Sequence, residues 1–134
     1  MMEETIRQTV RLRARDRCEY CLLRQEHEPT CPLHIDHIIA IKHQGTGTLE
    51  NLALACGVCN RAKGTNVAGI DPDSGELTRL YHPRKDVWDE HFLRDGALIL
   101  GRTAIGRTTV WVLQMNIAPR VELRTLLQKL GELD

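Results

Sequence analysis

Aromatic side chains are scarce in this chain of 134 residues, which has two Trp, two Tyr and one Phe. A small core short of large rings gains from a metal or covalent staple. Net charge is missing too, because 18 basic residues balance 18 acidic ones. That counts against a sequence-indifferent polycationic binder of nucleic acid and leaves room for a local patch. Arg7, Arg11, Arg13, Arg15 and Arg17 do gather near the N-terminus, where they read equally as a solvated helix face or as phosphate contacts. No apolar run approaches the roughly 20 residues needed to span a bilayer, so no membrane partner is expected. The N-terminus starts Met-Met-Glu-Glu and lacks an apolar segment of signal-peptide kind, which predicts a cytoplasmic location with reduced cysteines. Repeats and low-complexity tracts are absent, and the length suits one domain.

Against this background the cysteines stand out. Four of the five form two Cys-x-x-Cys pairs, Cys18/Cys21 and Cys56/Cys59. Each pair puts two sulfurs on one turn within reach of a single ion, and two pairs complete a tetrahedral shell with no open position. The expected cofactor is therefore a structural Zn2+. A redox dithiol is the alternative, but neither pair has the strand-to-helix context that chemistry uses. The stretch between Cys21 and Cys56 is long, so it must loop out and return, as an inserted hairpin does. Cys31, beside Pro32 and apolar neighbours, reads as a buried, inert thiol.

Periodicity supplies the elements. Ile6, Val10 and Ala14 share one side of a helix over 4–16. Leu33, Ile35, Ile38 and Ile39 suggest a strand or hairpin arm, and 52–56 a returning strand. Residues 57–63 start a short helix that Gly64 ends. Beyond it, 71–75 is a strong turn signal, 77–81 a short apolar stretch, 86–93 helical, 97–100 extended and 105–115 helical. A last helix over 119–130 has Pro119 near its first turn. Residues 1–70 are expected to form a zinc-bearing module, with 71–134 as an extension of the same compact domain.

The first arm carries His34, Asp36 and His37, and Asn60 follows the last thiolate. A carboxylate suits a hard divalent ion, and an imidazole free of metal suits general-base work near neutral pH. On a regular strand the adjacent Asp36 and His37 point to opposite faces, so a bulge or turn is needed to join them. Asn51 reads as a turn cap or as a hydrogen-bonding amide of the site. His34 reads as a phosphate or metal contact or as a partly buried structural histidine, and Arg61 and Lys63 as phosphate contacts or solvated helix charges. His82, Arg84, Trp88, His91 and Arg107 are assigned to packing and solvation of the tail.

Taken in order, Cys18-x-x-Cys21, His34-Ile-Asp36-His37-Ile38-Ile39, the glycine-bearing turn, Asn51-Leu52 and Cys56-x-x-Cys59-Asn60-x-x-Lys63 resemble the HNH endonuclease family, in its zinc-bearing, small stand-alone bacterial form. The resemblance covers residues 11–64. It implies an α+β fold, the ββα-metal arrangement with a treble-clef-like four-cysteine zinc site, followed by a small mixed α/β extension packed on it. It further implies a metal-dependent DNA endonuclease with His37 as general base, Asn51 fixing the loop and orienting that base, and Asp36 and Asn60 holding catalytic Mg2+ or Mn2+. DNA is then the partner, and a homodimer is a possible assembly for two nicks. The competing reading is a catalytically silent, zinc-stapled nucleic-acid-binding or adaptor module. Two departures from the family pattern are His43-Gln44-Gly45 in place of Gly-Gly, and Ala40 in place of a proline.

Overall fold

The four-residue recurrence of Ile6, Val10 and Ala14 yields a helix, α1 (Glu4–Ala14), in the computed structural model, which describes residues 3–133. Glu4 in its first turn and Arg11 and Arg13 in its last oppose the helix dipole favourably, and Val10 is fully buried. The N-terminal arginines divide. Arg13 donates to the carbonyls of Leu49 and Leu52 at 3.0 and 2.7 Å, Arg11 to Leu33 and Arg17 to Leu22. Arg11 and Arg13 tie the helix to the following hairpin and Arg17 ties its exit to the first Cys-x-x-Cys turn, so the three are structural.

That hairpin is β1 (His34–His37) against β2 (Leu52–Ala55), antiparallel, with Asp36 opposite Ala53 and His37 opposite Leu52. β2 is buried along its whole length, as an uninterrupted Leu-Ala-Leu-Ala segment permits. Gly57–Lys63 forms α2, capped at its start by the Cys56 sulfur and ended at Gly64, whose φ of 52° a side chain disfavours. Helix 57–63 and both strands fall where the hydrophobic pattern and turn signals predict.

The extension differs in detail. The 71–75 turn joins β3 (Ala68–Ile70) to β4 (Leu77–Arg79), a two-stranded hairpin of which the sequence suggests only the second arm. Of the helix expected over 86–93, only α3 (Trp88–His91) is helical, and the chain continues as β5 (Phe92–Asp95) paired with β6 (Leu98–Gly101). The cause is the two-residue turn after Asp95, where Gly96 takes φ 59° and folds the chain back. Two further helices follow, α4 (Ala104–Val112) and α5 (Ala118–Lys129), with Pro119 in the first turn of the latter. At Gly106 a Cβ would stand 1.9 Å from the His91 carbonyl oxygen, so α4 meets α3 backbone to backbone.

The molecule is a mixed α+β fold with five helices and three two-stranded sheets among the described residues. One apolar core joins module and extension: Cys18, Cys21, Cys56 and Cys59 pack in the same cluster as Leu80, Tyr81, Phe92, Ile99 and Leu113. Trp88 donates its indole N–H to the Tyr20 carbonyl at 2.8 Å, Arg84 pairs with Glu19, and Tyr81 meets Tyr20 edge-on. The tail residues expected to pack do so. Cys31, expected inside, is exposed, because it follows the proline-bearing loop and precedes Pro32 outside the core. Among the described residues no helix is long and apolar enough to cross a membrane.

Candidate functional site

Two sites share α2. The first is the cysteine quartet. Each Cys-x-x-Cys turn directs the amide of its second cysteine at the sulfur of its first, Cys21 to Cys18 at 3.4 Å and Cys59 to Cys56 at 3.5 Å. Glu19 fastens the first turn to β2, its amide donating to the Leu54 carbonyl and its carboxylate accepting from the Leu54 amide, both at 2.8 Å. The four sulfurs consequently lie within 4.8 Å of one another, all buried, with Cys21 and Cys56 3.6 Å apart. A tetrahedron of Zn–S bonds of about 2.3 Å has edges of about 3.8 Å, so a buried four-sulfur set of this size fits a zinc site. Burial pushes the Cys18 thiol well up, whereas hydrogen bonds from Cys18, Cys21 and Cys59 pull Cys56 far below its ordinary value. Among the described residues no other group of three or more Cys, His, Asp or Glu is placed to hold an ion.

The second site is a cleft of about 290 Å³ between the end of β1 and the outer side of α2. Asp36, His37 and Asn60 contribute to one wall system, with Ala40, Lys42 and Gly64 nearby. No bulge is needed: the β1–β2 ladder is regular through His37, and the strand ends there, so the turn at its end brings both neighbours to the cleft. The His37 imidazole and the Asn60 side-chain carboxamide make no hydrogen bond to any described residue, which leaves both available to a ligand.

Asp36 is different. Only 5 % exposed, it accepts from the Tyr20 hydroxyl at 2.7 Å on one oxygen and from the Lys63 ammonium at 3.2 Å on the other. Burial pushes its carboxyl up, and the Lys63 charge and the Tyr20 hydrogen bond oppose that without cancelling it. Each carboxylate oxygen keeps a second lone pair, so the group still has capacity for a hard ion. Lys63 also donates to the His37 carbonyl at 3.1 Å and is 1 % exposed. A DNA-phosphate contact by Lys63, one of the two readings of its charge, is thereby replaced by an interior role: it faces inward with Cys59, four residues before it on the same helix. That spacing was the available signal for it. Tyr20, between the first two cysteines, is the functional neighbour the sequence pattern did not single out.

Asn51 is buried and does not line the cleft. Its side chain behaves as an extra rung of the hairpin, accepting from the Ile39 amide and donating to the carbonyls of Ile39 and Thr46 at 2.9 and 2.7 Å. Gly45 completes that loop, since a Cβ there would lie 1.7 Å from the Ile39 carbonyl oxygen. Gln44 takes φ 69°, so the Gln-Gly pair adopts backbone for which Gly-Gly is better suited. His34 and Arg61 are exposed, and both approach Gly57 at the start of α2. Lys42, which the sequence pattern left unremarked, stands on the cleft rim.

A hairpin whose end feeds a helix, a thiolate quartet stapling the two, and a carboxylate, an imidazole and an amide around one cleft define the class of a zinc-bearing ββα-metal module. Residues 18–66 match the family model described as HNH endonuclease, and the four-cysteine cluster in that segment is consistent with the zinc-bearing subgroup. No curated protein and no solved structure gives a significant match to the chain. The family match suggests nuclease-type chemistry for this segment, and HNH nucleases act on DNA.

Proposed function

We propose that the chain is a metal-dependent endonuclease that hydrolyses phosphodiester bonds of DNA at the cleft, with His37 as general base and with Asp36 and Asn60 as protein ligands of Mg2+ or Mn2+. The observation that carries this reading is the convergence of those three residues on one cavity, with the His37 ring and the Asn60 side-chain carboxamide both unengaged. An imidazole with an unengaged ring nitrogen can act as general base towards water. Lys63 holds the His37 carbonyl, and Asn51 holds the loop that follows, so the backbone carrying the base is braced from both sides. Asp36 and Asn60 would hold the ion with one carboxylate and one amide oxygen, leaving its other positions to water and phosphate oxygens. The bound ion supplies charge stabilisation at the phosphate and at the leaving 3′ oxygen. In this reading the exposed Arg61, His34 and Lys42 contact flanking phosphates. In this reading residues 1–70 are the catalytic module and 71–134 its extension.

The test is plasmid cleavage by the pure full-length chain with magnesium or manganese. Replacing the base, His37→Ala, is expected to slow nicking by about 10²–10⁴-fold. Absence of cleavage across a broad metal screen, or equal cleavage by the variant, removes the assignment and leaves a zinc-stapled binding module.

A further inference from the structure

The extension closes over the cysteine quartet with two buried arginines. Arg120 and Arg124 are four residues apart on α5, so they share one helix face, and they are 7 % and 4 % exposed. Arg124 and Cys21 line the same small cavity. Arg120 lies within electrostatic reach of Cys56 and Cys21, and Arg124 within reach of Cys21, Cys59 and Cys56.

Their remaining partners are unequal. Arg120 gives its two terminal nitrogens to the Glu28 carboxylate at 3.0 and 3.1 Å, while its Nε is buried without any hydrogen-bond partner. Arg124 donates from Nε to the Ala97 carbonyl at 2.6 Å, and from Nη2 to the Met115 carbonyl and the Asn116 side-chain oxygen at 2.7 and 2.9 Å. Every one of those acceptors is neutral. A guanidinium does not give up its proton in a protein, and a buried charge lacking an opposite charge is strongly unfavourable. Glu132 lines the same cavity, but the anionic groups that act on Arg124 are the sulfurs of the quartet, Cys21, Cys59 and Cys56. Four thiolates around one divalent zinc carry two net negative charges, whereas four protonated thiols carry none.

We propose that Arg124, assisted by the unpaired Nε of Arg120, is the outer-sphere counter-charge of the zinc–tetrathiolate centre, so that zinc loading and docking of the C-terminal helix stabilise each other. Linkage makes the effect reciprocal: whatever the guanidinium adds to zinc affinity, zinc returns to the seating of α5. The rival explanation is that Arg124 only anchors the carbonyls of Ala97 and Met115. The inference concerns the staple alone and holds whether or not the cleft cuts DNA.

The experiment is a competition between the full-length protein and a zinc chelator at neutral pH, with melting of the loaded and metal-free forms alongside. Arg124→Met is expected to weaken zinc binding by about 10- to 100-fold, the range for lost outer-shell partners. Its melting penalty is expected to be larger for the loaded protein than for the metal-free one. Arg124→Lys, which keeps the charge and loses the planar fork, is expected to retain more zinc affinity than Arg124→Met. Unchanged zinc affinity in Arg124→Met, with equal melting penalties in both forms, overturns the proposal in favour of loop anchoring. Should Arg124→Met give no folded protein, Arg124→Lys decides alone, and a tenfold or greater loss of zinc affinity there overturns the charge argument.

Discussion

Lys63 carries an ammonium into the interior, where the Asp36 carboxylate at 3.2 Å and the His37 carbonyl at 3.1 Å receive it. Removing one member of such a pair leaves the other buried and unmatched, which costs more than the pair itself contributes. Lys63→Met is therefore expected to lose about 3–5 kcal/mol of unfolding free energy in a urea titration. The double variant Asp36→Asn/Lys63→Met is expected to recover part of that loss, and a double variant no more stable than the single would show that the charge pairing is not the cause. The sequence reads Lys63 as a phosphate contact or a solvated charge, and only its four-residue spacing from Cys59 is compatible with the inward aim it takes. The Tyr20–Asp36 bond leaves no such signal, because it joins a zinc turn to a strand 16 residues away through space alone. Local pattern carries no information on which strand residue a tyrosine hydroxyl will reach.

At the scale of elements, the connection between β4 and α3 is organised by Asp86. Its carboxylate takes both terminal nitrogens of Arg79, at 2.8 and 2.9 Å, and the His82 amide at 2.8 Å. The Arg79 hydrogen bonds, outweighing partial burial, hold the Asp86 carboxyl down at about 2, against an ordinary value of 3.8. A depressed acid contributes its stability above the ordinary value and loses it as pH falls from there towards about 2. Asp86→Asn is accordingly expected to cost about 1 kcal/mol at pH 7, discounted because Arg79 is half exposed. The gap between variant and parent should close as the pH is lowered from about 4 to about 2, read by thermal melts at a series of pH values. A gap that persists at pH 2 would mean the amide swap disturbs packing instead. This same stretch is where helical periodicity over 86–93 misled: Trp88, His91 and Phe92 suit either period, and Gly96 decides for a hairpin by allowing a positive φ.

For the whole molecule, zinc is the expected keystone. The four cysteines lie inside the one core that both halves share, and aromatic mass is too scarce to replace them. Ligand binding that exists only in the folded state is folding free energy. Stripping the metal with a chelator is expected to lower the melting temperature by about 10 °C or more, and returning zinc is expected to restore it. Circular dichroism melts before, during and after chelation check this, and an unchanged melt after complete zinc removal would demote the quartet to a passive part of the core.

The four-cysteine ββα module was readable from sequence because its determinants are local: two Cys-x-x-Cys turns, Asn51 leading into a strand, and an Asn one position past the last cysteine. Covalent spacing and helix geometry dictate such features without reference to the rest of the chain. The partners of the charges were not readable. Arg11, Arg13 and Arg17 bind carbonyls instead of solvent or phosphate, Lys63 turns inward, and Arg120 and Arg124 come to the cysteines from a helix at the far end of the chain. A buried charge is settled by whichever opposite charge or carbonyl the finished core places beside it, and only tertiary structure makes that choice.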